Sequence, residues 1–169
     1  MKHPIKVMRL FAIVSIVALL TSCSSDDAPE GSGSCGSISS CDSRYDVKFV
    51  GCTRKSDKVV MSYTITNNGE SVDQLKLWQH PTYTYFTTDD GQTFNKERGL
   101  INSKIGKESG IGDLSVAIGK GKSVTVTHTI SGIPSSAKKF STVRIGLYNY
   151  GTYDWKCSSK SVVFYNVAW

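Results

Sequence analysis

Histidine is scarce in this chain of 169 residues: there are three, and only His80 and His128 lie beyond the first 22 residues. No Cys-x-x-Cys pair occurs, and neither histidine is near a cysteine in sequence, so a zinc site of the usual spacing is not expected. No stretch of a dozen residues carries a clear helical period, and no internal repeat is evident, which sets aside helical bundles, solenoids and propellers. There is no Gly-x-Ser-x-Gly elbow to present a nucleophile. Gly119-Lys120-Gly121-Lys122-Ser123 lacks the upstream glycine and the following helix of a phosphate loop and reads as a hairpin turn. Asp89-Asp90-Gly91 lacks the further acids and closing Glu of a calcium loop and also reads as a turn. Catalysis, cofactors and bound metal are therefore not expected.

What the sequence does have begins at its N-terminus. Lys2, Lys6 and Arg9 precede the apolar run Leu10 to Leu20, which is too short for the roughly 20 apolar residues of a stable span and reads as a secretory signal over residues 1–22. Leu20-Thr21-Ser22-Cys23 resembles the lipobox of bacterial lipoproteins, which implies that Cys23 is lipidated and becomes the mature N-terminus. Removing the 22-residue leader leaves 147 residues, and its three bases take the formal charge from +6 to +3. Half of the basic excess is thus leader. The remaining bases, among them Lys96, Arg98, Lys104, Lys107, Lys120, Lys122, Lys138 and Lys139, are dispersed, which does not suit nucleic acid. Residues 23–43 begin Ser24-Ser25-Asp26-Asp27 and are rich in Gly and Ser, as expected of a flexible tether. Their acidic start resembles the export signal of Bacteroidetes lipoproteins, which implies lipid anchoring in the outer membrane, facing the exterior.

Setting Cys23 aside leaves Cys35, Cys41, Cys52 and Cys157, an even number, and two disulfides are expected of an exported chain. Four cysteines allow three pairings. The start of the first strand and the last hairpin loop fall at one end of the expected topology, favouring Cys157 with Cys41 or Cys35; Cys52–Cys157 with a small Cys35–Cys41 loop is the other arrangement.

From Tyr45 onward apolar residues alternate at a period of two between turn signals, as in Tyr45 to Cys52, Lys58 to Thr66, Ser123 to Ile130, Ser141 to Tyr150 and Lys160 to Val167. Asn67-Asn68-Gly69-Glu70 reads as a turn by its need for positive φ. Asn102 to Gly112 reads as a Gly- and Lys-rich loop, and Ile133 to Ala137 as a connection with room for one helical turn. Residues 44–169 are expected to form an all-β antiparallel sandwich of about seven to nine strands. VVMSYTITNNGES, TTDDGQTF, AIGKGKSVTVTHTISGIP, VRIGLYNY and VVFYNV together resemble the telomeric-repeat-factor-like immunoglobulin-like domains of bacterial lipoproteins. That resemblance covers roughly residues 45 to 168 and implies an immunoglobulin-like sandwich with no established chemistry.

Aromatic residues are the most suggestive group. Trp78 fits the buried tryptophan of a sandwich's third strand. Tyr83 and Tyr85 share a face, as do Tyr148 and Tyr150. Tyr150, at the end of its strand, and Tyr153 and Trp155 in the loop that follows are the candidate ligand contacts, since exposed rings stack on sugars or anchor partner proteins. His128 sits mid-strand, where a cross-strand partner or solvent exposure is the ordinary explanation, and His80 before Pro81 marks a strand bend. The chain is read as a lipid-anchored envelope module that binds glycan or another envelope protein, with a non-binding accessory subunit and a small hydrolase as the other readings.

Overall fold

Strands form where branched and aromatic residues alternate with polar ones, because such side chains fit a pleated surface buried on one face. A computed structural model of the chain describes residues 33–40, 42–98, 100–149 and 161–169. Among these run β1 (Ser37–Ser40), β2 (Tyr45–Lys55), β3 (Lys58–Asn67), β4 (Asp73–Trp78), β5 (Tyr85–Thr88), β6 (Thr93–Phe94), β7 (Ile101–Ile105), β8 (Glu108–Gly110), β9 (Leu114–Ile118), β10 (Ser123–Ile130), β11 (Lys139–Asn149) and β12 (Ser161–Ala168). The described residues contain no α-helix; one 3₁₀ turn spans Lys96–Arg98.

The strands make two antiparallel sheets, one of seven strands and one of five. In the first, the order is β1-β12-β11-β4-β9, with the β5–β6 hairpin also pairing to β11; in the second it is β2-β3-β10-β7-β8. The inner faces of the two sheets supply a single core. On β3, Val59, Met61, Tyr63 and Ile65 are all fully buried while the residues between them are not all so, the period of two expected of a one-sided strand. Tyr63 meets Phe164 of the opposite sheet at 4.9 Å between ring centroids, and Phe86 meets His128 edge-on at 5.3 Å. Offset and edge-on pairs of this kind add about 0.5–1.5 kcal/mol each to the burial itself.

Two irregularities keep apolar side chains on the inner face. At Val50 the β2–β3 register shifts, so inward positions pass from Tyr45 and Val47 to Cys52. At Ser141 the β11–β5 register shifts in the same way, and Asn166, opposite it on β12, takes φ 53°. Phe140 and Val143, at odd spacing, are thereby both fully buried.

Several expectations change. Strand pairing begins within the segment read as tether: Ser34 bridges Ala168, and β1 pairs with β12 from Ser37↔Tyr165 to Ser40↔Val162. Backbone ladder bonds need no apolar side chains, so Ser-Ile-Ser-Ser can cover the edge of β12. The segment read as a loop from Asn102 contains the β7–β8 hairpin, turned by Gly106 at φ 57°. Ile133 to Ala137 closes as a β-turn, Ala137 N–H donating to Pro134 O at 3.1 Å, without a helical turn. The strands number twelve among the described residues, against the expected seven to nine.

The turn at Asn67 is held differently from expectation. Its Nδ2 donates to Ser71 O and Ile118 O, each at 2.9 Å, while its Oδ1 accepts from Gly69 N–H at 2.8 Å. A Cβ on Gly69 would lie 2.9 Å from that oxygen, so close approach selects glycine there, whereas positive φ falls at Gly121 of the adjoining turn.

Candidate functional site

The site with the most binding chemistry is on the outer face of the seven-stranded sheet. Leu75 and Leu77 point into the core, so alternation sends Lys76 and Trp78 outward. This corrects the expectation that Trp78 is the core tryptophan: it is half-buried on the outside, and Tyr63, Phe86, Phe140 and Phe164 fill the interior. Trp78 stands opposite Gly146 of β11. A Cβ at Gly146 would sit 2.9 Å from both Trp78 O and Tyr83 Cβ, so only glycine lets the turn after β4 press on the sheet.

That turn is fixed by its own backbone. His80 O accepts from Tyr83 N–H at 2.8 Å and from Thr84 N–H at 2.9 Å, and the Thr84 hydroxyl donates to Trp78 O while accepting from Gly146 N–H. The Tyr83 ring is consequently laid on Trp78, with centroids 4.2 Å apart and planes 17° from parallel. The exposed His80 ring lies 6.0 Å from Trp78 and 5.7 Å from Tyr83, tilted to each. Beside this group Lys76 Nζ pairs with Asp113 Oδ2 at 2.9 Å, and Asp113 Oδ1 accepts from Gln79 N–H at 2.8 Å. Burial alone would raise the Asp113 carboxyl, but Lys76 and the Gln79 amide outweigh it and hold it below the usual carboxylate value. The result is a fixed aromatic platform with a charged, hydrogen-bonding margin.

A second polar group is sealed between the sheets. His128 Nδ1 and Ser103 Oγ are 2.8 Å apart, His128 Nε2 and Tyr63 Oη 3.2 Å, and Gln79 Nε2 donates to Ser103 Oγ at 2.6 Å. Burial pushes the imidazole down to about 3, so the ring is neutral at ordinary pH, and the Tyr63 hydroxyl well above its usual value. Ser103 and His128 form a pair of the kind that activates a nucleophile, but they are 2% and 0% exposed, and the ring's other partner is a tyrosine where a triad has a carboxylate. No substrate atom can reach Ser103 Oγ, so this pair is part of the core. Of the two explanations open for His128, a cross-strand partner holds and solvent exposure does not: Ser103 stands directly opposite on β7 and the ring is fully buried.

The other singled-out residues fall as follows. The candidate contacts Tyr150, Tyr153 and Trp155, the lipidation site Cys23, and Cys41 and Cys157 lie outside the described residues. Cys35 and Cys52 are thiols, and no disulfide occurs among the described residues, where two bridges were expected of the chain. The Cys35 thiol donates instead to Ser37 O at 3.3 Å, and Cys52 is packed in the core. Asp89 and Asp90 serve as loop acceptors, taking Lys138 N–H and the Ser136 hydroxyl respectively. Gly121, in the Gly-Lys-Gly-Lys turn, has φ 68° and donates its N–H to Asn67 O at 2.7 Å. Sequence reasoning missed the platform as a unit, although Trp78-Gln79-His80-Pro81-Thr82-Tyr83 placed its three rings within six residues. No family model, no curated protein and no solved structure matches the chain.

Proposed function

We propose that the chain is a lipid-anchored module of a bacterial cell envelope, tethered through Cys23 and facing outward, whose immunoglobulin-like sandwich binds carbohydrate without catalysis. The observation that carries the ligand class is the Trp78–Tyr83 stack, held by Gly146 and flanked by His80 and the Lys76–Asp113 pair. Flat aromatic faces match the apolar faces of sugar rings, and a rigid platform loses little entropy when it is covered. The exposed imidazole of His80 and the part-exposed Lys76–Asp113 pair at its margin bring polar groups to hydroxyls. The anchoring part of the reading rests on Leu20-Thr21-Ser22-Cys23 and the acidic Ser-Asp-Asp that follows.

The test is a glycan array probed with the full chain and with Trp78→Ala, with circular dichroism to establish that the variant is folded. Binding to at least one glycan class, weakened ten-fold or more in the variant, is expected. A folded wild-type chain that binds no glycan would sink the ligand assignment, and equal binding by both proteins would move the site away from Trp78.

A further inference from the structure

Cys35 and Cys52 come from the margins of different sheets. Cys35 lies two residues before β1, an edge of the seven-stranded sheet, and Cys52 belongs to β2, an edge of the five-stranded one. Here the chain from Gly33 to Gly36 is strapped between β12 and β2. Ser34 N–H donates to Ala168 O at 3.1 Å and Gly36 N–H to Tyr165 O at 2.9 Å. Gly33, at φ 109°, sits so near β2 that a Cβ on it would fall 2.4 Å from Cys52 O and 3.2 Å from Cys52 N. Both cysteines adjoin the same core cluster, Cys52 fully buried within it and Cys35 half-buried against it. A charge on the Cys35 sulfur is felt at Cys52.

We propose that Cys35 and Cys52 form a disulfide that ties the edge of one sheet to the edge of the other, made by exchange with a small-molecule or protein disulfide. The Cys35 thiolate attacks one sulfur of the donor disulfide, the donor S–S bond breaks, and one donor thiolate leaves. The Cys52 thiolate then attacks the Cys35 sulfur of the mixed disulfide and expels the second donor thiolate. The two cysteines lose two electrons and two protons; the donor gains both and departs as two thiols.

The order of attack follows from access, since only Cys35 is reachable by the donor. Burial, with a smaller effect of Cys35, pushes the Cys52 thiol up to about 12, so its thiolate is scarce and the second step is the slow one, while the same shift makes Cys52 a poor leaving group once the bond is made. A Cys35–Cys41 loop would require β1 to detach from β12, because four extended residues span about 13 Å and a disulfide joins Cα atoms no more than about 7 Å apart. The proposal is independent of what the Trp78 platform binds; it requires only a disulfide oxidant in the compartment.

The test uses the full chain, oxidised with glutathione disulfide, alkylated without reduction and digested with trypsin and thermolysin, the latter cutting before Ile38 to separate Cys35 from Cys41. A peptide pair joining Cys35 to Cys52, released by reduction, is expected. Reduction is also expected to shift the folding equilibrium toward the unfolded state by about 10²-fold for a loop of this length. Alkylation of both residues, or either one joined to a different cysteine, would overturn the pairing.

Discussion

Lowering the pH from 7 to 5 is expected to destabilise the fold through one side chain. His128 is neutral in the folded state because burial holds it near 3, whereas in the unfolded chain it titrates at its ordinary 6.5. Between those values the unfolded state takes up a proton that the folded state refuses, so stability is complete above 6.5 and is lost as the pH falls. The loss approaches about 1.4 kcal/mol per pH unit and amounts to about 2 kcal/mol at pH 5, a large part of the few kcal/mol by which small domains are stable. Asp42, Asp90 and Asp113 are held below 3.8, so what they contribute is lost only as the pH falls below about 5, which leaves the range from 5 to 6.5 to the imidazole. Urea unfolding followed by tryptophan fluorescence at half-unit steps from pH 7.5 to 4.5 measures the slope. His128→Gln supplies the control, since an amide keeps a donor and an acceptor for Ser103 and Tyr63 but cannot gain a proton. The variant is expected to be less stable at pH 7 and nearly flat over the same range. Parallel slopes in the two proteins would refute the assignment to His128.

Two further substitutions probe what holds the ends of the sandwich. Arg54 donates to Ser56 O, Ala137 O, Ile133 O and Pro134 O at 2.8–3.1 Å and lies 5.5 Å over the Trp169 ring; Arg54→Met is expected to cost about 2–3 kcal/mol and to speed hydrogen exchange at Ile133 and Ala137, and unchanged exchange there would count against the staple. Asn67→Ala removes three hydrogen bonds, two within the turn after β3 and one to Ile118 O at the end of β9, at a cost of about 2–3 kcal/mol in urea midpoint analysis. A loss below about 0.5 kcal/mol would mean that water replaces the amide.

Much of the sheet architecture was legible because period-two alternation marks a strand buried on one face. In Ser123 to Ile130, His128 shares its parity with Val126 and Ile130, so its burial was written in the pattern. Trp78 could have been placed by the same rule: Leu75 and Leu77 fix the inward parity of β4, and Trp78 is out of phase with both. β1 and the β7–β8 hairpin were hidden for the opposite reason: β7 alternates in burial, but its central inward residue is Ser103, so Asn102-Ser103-Lys104 reads as a polar run, and in β1 and β8 polar residues predominate while the backbone ladder formed regardless. With β7 read as a loop, Ser103 could not be set opposite His128. The bulges at Val50 and Ser141 change parity within a strand, which a fixed period cannot express. The platform needed tertiary contact: nothing local says that Gly146 admits the turn carrying Tyr83.

The sealed Gln79–Ser103–His128–Tyr63 chain also chooses how the strands line up. Ser123 to Ile130 alternates Thr with apolar residues so evenly that a slide of two positions along β7 would keep every inward residue inward. Such a slide would set His128 opposite Ile101 or Ile105 in place of Ser103. The ring nitrogen that Ser103 serves would then be dry and unpaired, at about 1–3 kcal/mol, and Ser103 would be parted from the imidazole as well. A few polar atoms in an otherwise apolar interior thus act as an alignment key for the five-stranded sheet, penalising misaligned pairings that hydrophobic burial alone would tolerate.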